Sequence, residues 1–489
     1  MERRDERLWI WLAYALLLLS CLRDVGNPDI FWHLSAGQRI LAEHRIPAAD
    51  WLSFTRSGAP WVDFEWGTQV LVTLIHRAAG FWGLILFKTA LMTGSAGLVE
   101  RTMARRGIGA GERACAIAVL TAGWLISNDM RPDWISMLFM TAELVVLEAI
   151  RKGRWRRGLA ATGAGALLAG CGWANCHAGF VVGLAVAGAY ALLCEVSARK
   201  AAWTLALALF AGTFITPFGP SLYHIIFLHM QASPDITRDI VEWHHATLMN
   251  GYAAPAFLLI GGCLLAAWAA PPRRDEWAPW AVLAGLAFMA VDHQRHVPYF
   301  VTAAVLLPPL LLHERPPRFV LHPLCAPVNA LLCAAFMLCF YQRLTRDGVD
   351  LSGYPTGAAA YLRAHPEVAS MRLYNIWGWG GYLGYAVPPP YHVFFDGRYL
   401  FHDMLPSARA AESDPRSWLR YLDEQKLDGA LLNRNHPAVK VDWQTRDKAS
   451  HTGVFPREIL FMPPRDWALL YEDDKSALFV RRTLAPKAG

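Results

Sequence analysis

Leu8-Trp9-Ile10-Trp11-Leu12-Ala13-Tyr14-Ala15-Leu16-Leu17-Leu18-Leu19-Ser20-Cys21-Leu22 is an uncharged apolar run, followed at once by Arg23-Asp24 and then by Asn27-Pro28-Asp29-Ile30-Phe31-Trp32-His33. With Arg3, Arg4 and Arg7 ahead of it, the run reads as a membrane-spanning helix whose basic flank stays in the cytoplasm. No small-residue cleavage site follows, so it is expected to be retained as a first span. Further apolar runs begin near Phe81, Ala114, Trp134, Gly158, Gly179, Ala201, Ala253, Ala278, Val297 and Pro323. Judged against about 20 residues per crossing, they give about eleven transmembrane helices.

Composition agrees. Of the 489 residues, 54% are apolar and 18% charged, too few polar side chains to cover a water-soluble globule, so the bilayer must take the remainder. The formal charge of +6 sits largely in short clusters between apolar runs: Arg101, Arg105, Arg106 and Arg113; Arg151 to Arg157; Arg199 with Lys200; Arg273 with Arg274; Arg315 with Arg318. These mark the cytoplasmic side, so an odd number of spans places the chain after about Gln342 outside. Such a distribution implies no nucleic-acid partner. All nine cysteines lie between Cys21 and Cys339, which implies no disulfide framework. Cys171 and Cys176 with His177 lack a second paired motif and read as packing residues. Nor do the apolar runs suggest the buried acids of an ion-coupled transporter.

The chain thus divides into a membrane part, 1–341, and a polar extracytoplasmic part, 342–489. In the latter, Met371–Asn375, His392–Asp396 and Gly429–Asn433 read as strands and Pro415–Gln425 as a helix, with Trp467–Tyr471 and Ala477–Arg481 as a hairpin around an acidic turn. This predicts a small soluble α/β domain on an α-helical polytopic membrane protein.

Candidate chemistry lies in the outer loops. The first, 23–80, puts Asp29 and His33 four residues apart, on one face if helical. The carboxylate can bind a divalent cation (Mg2+ or Mn2+) or take a proton, and the imidazole can steady a leaving group. The alternative is a helix cap at Asp29 with Trp32 and His33 as interfacial anchors. Trp61-Val62-Asp63-Phe64-Glu65-Trp66 frames a second pair of carboxylates with rings, Glu65 being the candidate acceptor or metal contact. The stretch Gly67–His76 is amphipathic and suited to the interface. Arg131, Arg295 and His296 are outer-face cations, for which phosphate is the natural ligand and helix-end snorkelling the alternative. The pair His244, His245 reads as no metal site.

Taken together, the early outer-loop acid, the succession of spans and the terminal soluble domain resemble the GT-C superfamily of polyprenyl-phosphate-sugar-dependent glycosyltransferases. The segments Pro28 to Leu34 with Gly37, Trp61 to Trp66, Trp173-Ala174-Asn175 with His177-Ala178-Gly179, Pro217-Phe218-Gly219 and Phe395-Asp396-Gly397-Arg398 look like a group of bacterial membrane proteins of that architecture. The resemblance extends distantly to protein mannosyltransferases and to oligosaccharyltransferase catalytic subunits, whose aromatic-glycine motif is similar to Trp377-Gly378-Trp379-Gly380-Gly381-Tyr382. That family's aspartate is missing here, with Gly378 or Gly380 in its place. The resemblance implies that Asp29 is catalytic; the reading of the residues themselves adds Glu65 and His33 beside it, and Arg131, Arg295, His296, Trp66, Trp379 and Asp396 as candidate substrate contacts. Asp396 has a turn salt bridge as its alternative role.

The expected function is hexosyl or pentosyl transfer from a polyprenyl-phosphate-linked sugar to a glycan, lipid or protein acceptor at the outer face of the bacterial inner membrane. Two readings compete with it. One is a non-enzymatic membrane component for envelope glycan or protein assembly and export; the other is a lipid-linked glycan transporter.

Overall fold

The computed structural model describes residues 2–230, 240–247, 253–313, 344–434, 439–444 and 450–486. They form two compact units. One is built from Met1–Gly26, Phe64–Gln231 and Thr237–Val349, the other from Asn27–Asp63 and Asp350–Gly489.

The first unit is helical. In chain order, and counting α2 of the second unit, the helices are α1 (Glu2–Cys21), α2 (Asp29–Glu43), α3 (Trp66–Arg105), α4 (Ala110–Trp124), α5 (Asp133–Arg151) and α6 (Leu159–Ala174). They continue with α7 (Phe180–Leu193), α8 (Val196–Gly212), α9 (Ser221–Met230), α10 (Ala254–Ala269), α11 (Trp277–Asp292) and α12 (Val297–His313). Ten of the apolar runs coincide with helices of this unit; the run from Pro323 lies outside the described residues. The amphipathic stretch Gly67–His76 and the run from Phe81 belong to one helix, α3, kinked at Gly80, whose φ is 60°. Among the described residues, two helices are long and apolar enough to cross a membrane, Trp66–Arg105 and Gln294–His313, and there are several shorter apolar helices.

The unit's core is continuous. Met92, Ala96 and Val99 of α3 join Ile117 and Leu120 of α4, Trp134 and Met140 of α5, Tyr190 of α7 and Phe300 of α12 in one buried cluster. Two acidic side chains of α5 are nonetheless buried: Glu148 at 1% exposure and Glu143 at 8%. This corrects the expectation that the spans hold no buried acid. Glu148 is satisfied by Arg151, at 2.7 Å, and by the Tyr190 hydroxyl, also at 2.7 Å. A lone acid amid Leu, Val and Met leaves an apolar run looking uninterrupted, so hydropathy passes over it.

The second unit carries a four-stranded sheet in the order β1 (Leu373–Tyr374), β2 (Gly429–Asn433), β6 (Ser476–Arg481), β5 (Trp467–Glu472). The first pair is parallel and the other two antiparallel. The β5–β6 hairpin closes as its turn chemistry dictates: Asp473 Oδ1 accepts the amides of Lys475 and Ser476 at 2.9 and 2.7 Å. Between β2 and β5 lies a separate ribbon of β3 (Val439–Gln444) and β4 (Ser450–Phe455).

The segment His392–Asp396, expected as a strand, joins neither sheet. Its backbone bonds instead to the first long loop, the Val393 amide to Leu52 O at 3.1 Å and the Phe54 amide to Val393 O at 3.1 Å. The Phe394 amide donates to Asn375 Oδ1 at 2.7 Å. Those bonds explain why residues 27–63, expected with the membrane part, belong to the same compact unit as the C-terminal residues. Helix α2 is buried almost all round, and Phe31 packs against Tyr354, Tyr382 and Tyr385.

Candidate functional site

Helix α2 starts where its sequence says it should. Pro28 supplies a φ suited to helix entry, and Asn27 Oδ1 accepts the Asp29 amide at 2.8 Å, so Asn27 rather than Asp29 satisfies the orphan donor. Asp29 is therefore the first helical residue, half-buried, with Oδ1 accepting the Trp32 indole N–H at 3.1 Å. His33, one turn on, is 3% exposed, its ring 3.7 Å from that of Trp32.

Beside Asp29 runs the turn Asp396-Gly397-Arg398. A Cβ on Gly397 would stand 2.3 Å from Asp29 Oδ1, so only glycine lets the turn approach the carboxylate this closely. The turn itself is locked. Arg398 Nε donates to Asp396 at 2.9 and 3.0 Å, while its terminal NH2 group meets Asp396 Oδ2 at 2.9 Å and Asp50 Oδ1 at 2.8 Å. Its guanidinium also lies 4.8 Å from the Trp61 ring centre. Burial opposes the charge on Arg398, but Asp396 and Asp50 outweigh it and hold the pKa above the ordinary arginine value. Asp50 is fixed in turn by the Leu52 and Ser53 amides and the Ser53 hydroxyl.

Asp396, with no exposed surface, is thus occupied by Arg398. Trp379, 5% exposed, donates to Gly353 O at 2.9 Å. In the helix Trp377–Ala386, Gly380 lies so close to the Phe395 carbonyl that a Cβ would stand 2.0 Å from it, so an acidic side chain has no room there. Tyr399, whose hydroxyl accepts the Val62 amide at 2.8 Å, is pushed up to about 12 by burial.

The helical unit holds the other candidates. Trp66 donates to Asn175 Oδ1 at 2.7 Å, which docks the start of α3 on the turn between α6 and α7. In that turn His177 Nδ1 accepts the Gly179 amide at 3.1 Å and faces the Ser136 hydroxyl at 2.7 Å. The ring proton of neutral His177 therefore sits on Nε2, which is 4.0 Å from Glu65 Oε1. Burial, and then the guanidiniums of Arg295 and Arg131, lower the His177 pKa to about 3, so the contact with Glu65 is not an ion pair at neutral pH. Arg131 is paired with Glu242, and Arg295 stacks 5.5 Å from the Trp243 ring centre. His296 follows Arg295 in the short turn before α12. Among the described residues, no group of three or more His, Cys, Asp or Glu is placed to hold a metal ion.

A pH prediction follows from His177. Its pKa is about 3 folded and about 6.5 unfolded, so between those values the unfolded chain binds the extra proton and stability is expected to rise with pH, levelling above about 6.5. Unfolding midpoints across that window should rise more steeply for wild type than for His177→Gln. Equal slopes would overturn the assignment.

Sequence reading named Asp29 and Glu65 as candidates and offered a turn salt bridge for Asp396, but it did not single out Asp50, Ser136 or the second acid that Arg398 serves. No local spacing signals these, since Arg398 meets Asp50 only after the chain has returned from the other end of the sequence.

No protein-family model and no curated protein matches the sequence. The fold is similar to that of solved structures of ArnT and AftD. The solved structures it resembles include ArnT from Cupriavidus metallidurans bound to undecaprenyl phosphate, at 11% identity and a TM-score of 0.53, covering 98% of this chain and 99% of that one. The apo state of the same protein matches at 12% identity and a TM-score of 0.52, covering 98% of each chain. A mutant of the arabinofuranosyltransferase AftD from Mycobacteria matches at 15% identity and a TM-score of 0.56, covering 97% of this chain and 41% of that one.

Proposed function

We propose that this protein is a glycosyltransferase that takes a sugar from a polyprenyl-phosphate donor at the outer face of the bacterial inner membrane, with the C-terminal residues, 342–489, extracytoplasmic. The observation that carries the reading is the full-length likeness to ArnT, a structure that contains undecaprenyl phosphate. Asp29, at the start of α2 after the first apolar helix, is the proposed base toward the acceptor hydroxyl. Trp32 holds one carboxylate oxygen and so orients the other. Glu65, beside the His177 Nε2–H, assists. Arg131, Arg295 and His296 receive the donor phosphate, Arg131 exchanging Glu242 for it, and stabilise negative charge on the leaving group.

In the alternative role, Asp29 would hold a divalent cation in place of acting as the base, since Mg2+ commonly binds through one or two carboxylates with the remaining positions on phosphate and water. The cation would neutralise phosphate charge.

The test is a transfer assay in nanodiscs with radiolabelled polyprenyl-phosphate pentoses and hexoses, with and without Mg2+ or Mn2+. Turnover of at least one donor is expected. Absence of turnover across the panel by well-folded protein would shift the reading to a non-enzymatic envelope component.

A further inference from the structure

Two groups that can only donate fix the direction of the hydrogen bonds around His177. The Trp173 indole N–H donates to Ser136 Oγ at 2.6 Å, and the Gly179 amide donates to His177 Nδ1 at 3.1 Å. Nδ1 therefore carries no proton, and in its 2.7 Å contact with Ser136 Oγ the hydroxyl is the donor. The bonds run one way, from Trp173 through Ser136 to His177. They leave the ring with its proton on Nε2, 4.0 Å from Glu65 Oε1.

The atoms of this relay have little freedom. Ser136 has no exposed surface, Trp173 is stacked on Phe139 at 5.4 Å between ring centres, and His177 is buried. A Cβ on Gly179 would stand 2.4 Å from Ser136 Oγ and 2.5 Å from the Tyr299 hydroxyl, so glycine alone lets the turn lie against α5 and α12 at once. The same turn is fastened to the start of α3. The Gly67 amide donates to Asn175 O at 2.9 Å and the Thr68 hydroxyl to Cys176 O at 2.7 Å, beside the Trp66 bond to Asn175 Oδ1. Glu65, the residue before α3, and His177, the residue after Cys176, thus sit on two segments joined by three adjacent bonds.

A histidine that only filled space would need a partner for Nδ1 alone. Here Nδ1 has two donors, and the remaining polar group, Nε2–H, faces an acid. At 4.0 Å the contact is longer than a hydrogen bond, as active-site contacts commonly are until substrate closes them. The two side chains retain 10% and 15% exposure, so the pair lies where the buried relay meets the outside of the unit.

We propose that Ser136 and His177 are positioning residues for Glu65. Ser136, oriented by Trp173, keeps His177 a neutral donor, and the Nε2–H holds one Glu65 oxygen so that the other is presented to substrate. No proton moves along the relay. What Glu65 does in transfer rests on the function proposed above; the relay itself does not.

Asparagine and glutamine at position 177 separate this role from packing. Asparagine puts Oδ1 near the place of Nδ1, so it keeps the acceptor for Ser136 and Gly179 and has no donor where Nε2 was. Glutamine puts its amide nitrogen near the place of Nε2, so it keeps the donor to Glu65 and gives up the buried acceptor. A packing role ranks asparagine above glutamine in stability and activity alike. The relay reverses one order: the unfolding midpoint should be higher in His177→Asn, while kcat should be about tenfold higher in His177→Gln, the worth of one hydrogen bond to a charged group, with KM for the donor little changed. Ser136→Ala should lower kcat about threefold in wild type and have no further effect in His177→Gln, which lacks the acceptor that Ser136 serves.

Nitrogen-15 spectra of the histidine-labelled full chain in nanodiscs read the relay without turnover. The His177 signal, assigned by its absence in His177→Gln, should show a bare Nδ1 and a protonated Nε2, and Glu65→Gln should shift the Nε2–H resonance. A kcat for His177→Asn equal to or above that of His177→Gln, a protonated Nδ1, or an Nε2–H unmoved by Glu65→Gln would each overturn the proposal. A wild type that transfers no sugar yet shows the coupled spectrum would overturn the transferase reading and support the relay.

Discussion

Asparagine at position 29 is expected to lower sugar transfer by about 10²- to 10⁴-fold, the range for loss of a positioned general base, while the protein stays folded. The substitution is close to isosteric, and its amide oxygen can still accept the Trp32 indole N–H that now binds Asp29 Oδ1 at 3.1 Å. What it loses is the ability to take a proton, and with it the charge that would attract a divalent ion. A companion variant separates chemistry from position. In Gly397→Ala the new Cβ would stand 2.3 Å from Asp29 Oδ1, so the carboxylate, the mobile end of a short side chain, must turn away. Activity should then fall with the acid still present and the unfolding midpoint little changed. Turnover at the wild-type level in a stable Asp29→Asn protein would remove Asp29 from the mechanism.

The parts of this arrangement that were legible in the sequence are those with a period or a local signature. Apolar runs announce helices because a spanning segment must satisfy its own backbone, and Pro28 announces the start of α2 because entry to a helix has a restricted chemistry, although the cap is Asn27 and not Asp29. The β5–β6 hairpin is legible for the same reason, through Asp473. His392–Asp396 was misread because extended backbone can be satisfied by a loop as well as by a sheet, and the choice depended on Leu52 and Phe54, far away in the chain. The pairing of Arg131 with Glu242 was equally hidden, since its acid comes from a distant loop. Glu143 was passed over because hydropathy averages a single acid away.

Arg398 gives the largest stability effect. Alanine there would leave Asp50 and Asp396, both essentially without exposed surface, as two buried carboxylates with no cation between them. Breaking a buried pair by removing one partner costs about 3–5 kcal/mol, and here one guanidinium serves two acids. For a unit of this size that corresponds to a fall of roughly 6–20 °C in its unfolding midpoint. Lysine should recover only part, because a single ammonium cannot replace the Nε bonds to Asp396 while also reaching Asp50. Calorimetry on the detergent-solubilised chain measures both, and a midpoint for Arg398→Ala within about 2 °C of wild type would show that the clasp contributes little. Any loss of transfer activity in Arg398→Lys beyond its loss of stability has a physical route. Gly397 lies between the two clasped residues and touches the Asp29 carboxylate, so loosening the clasp frees the turn that holds the proposed base in place.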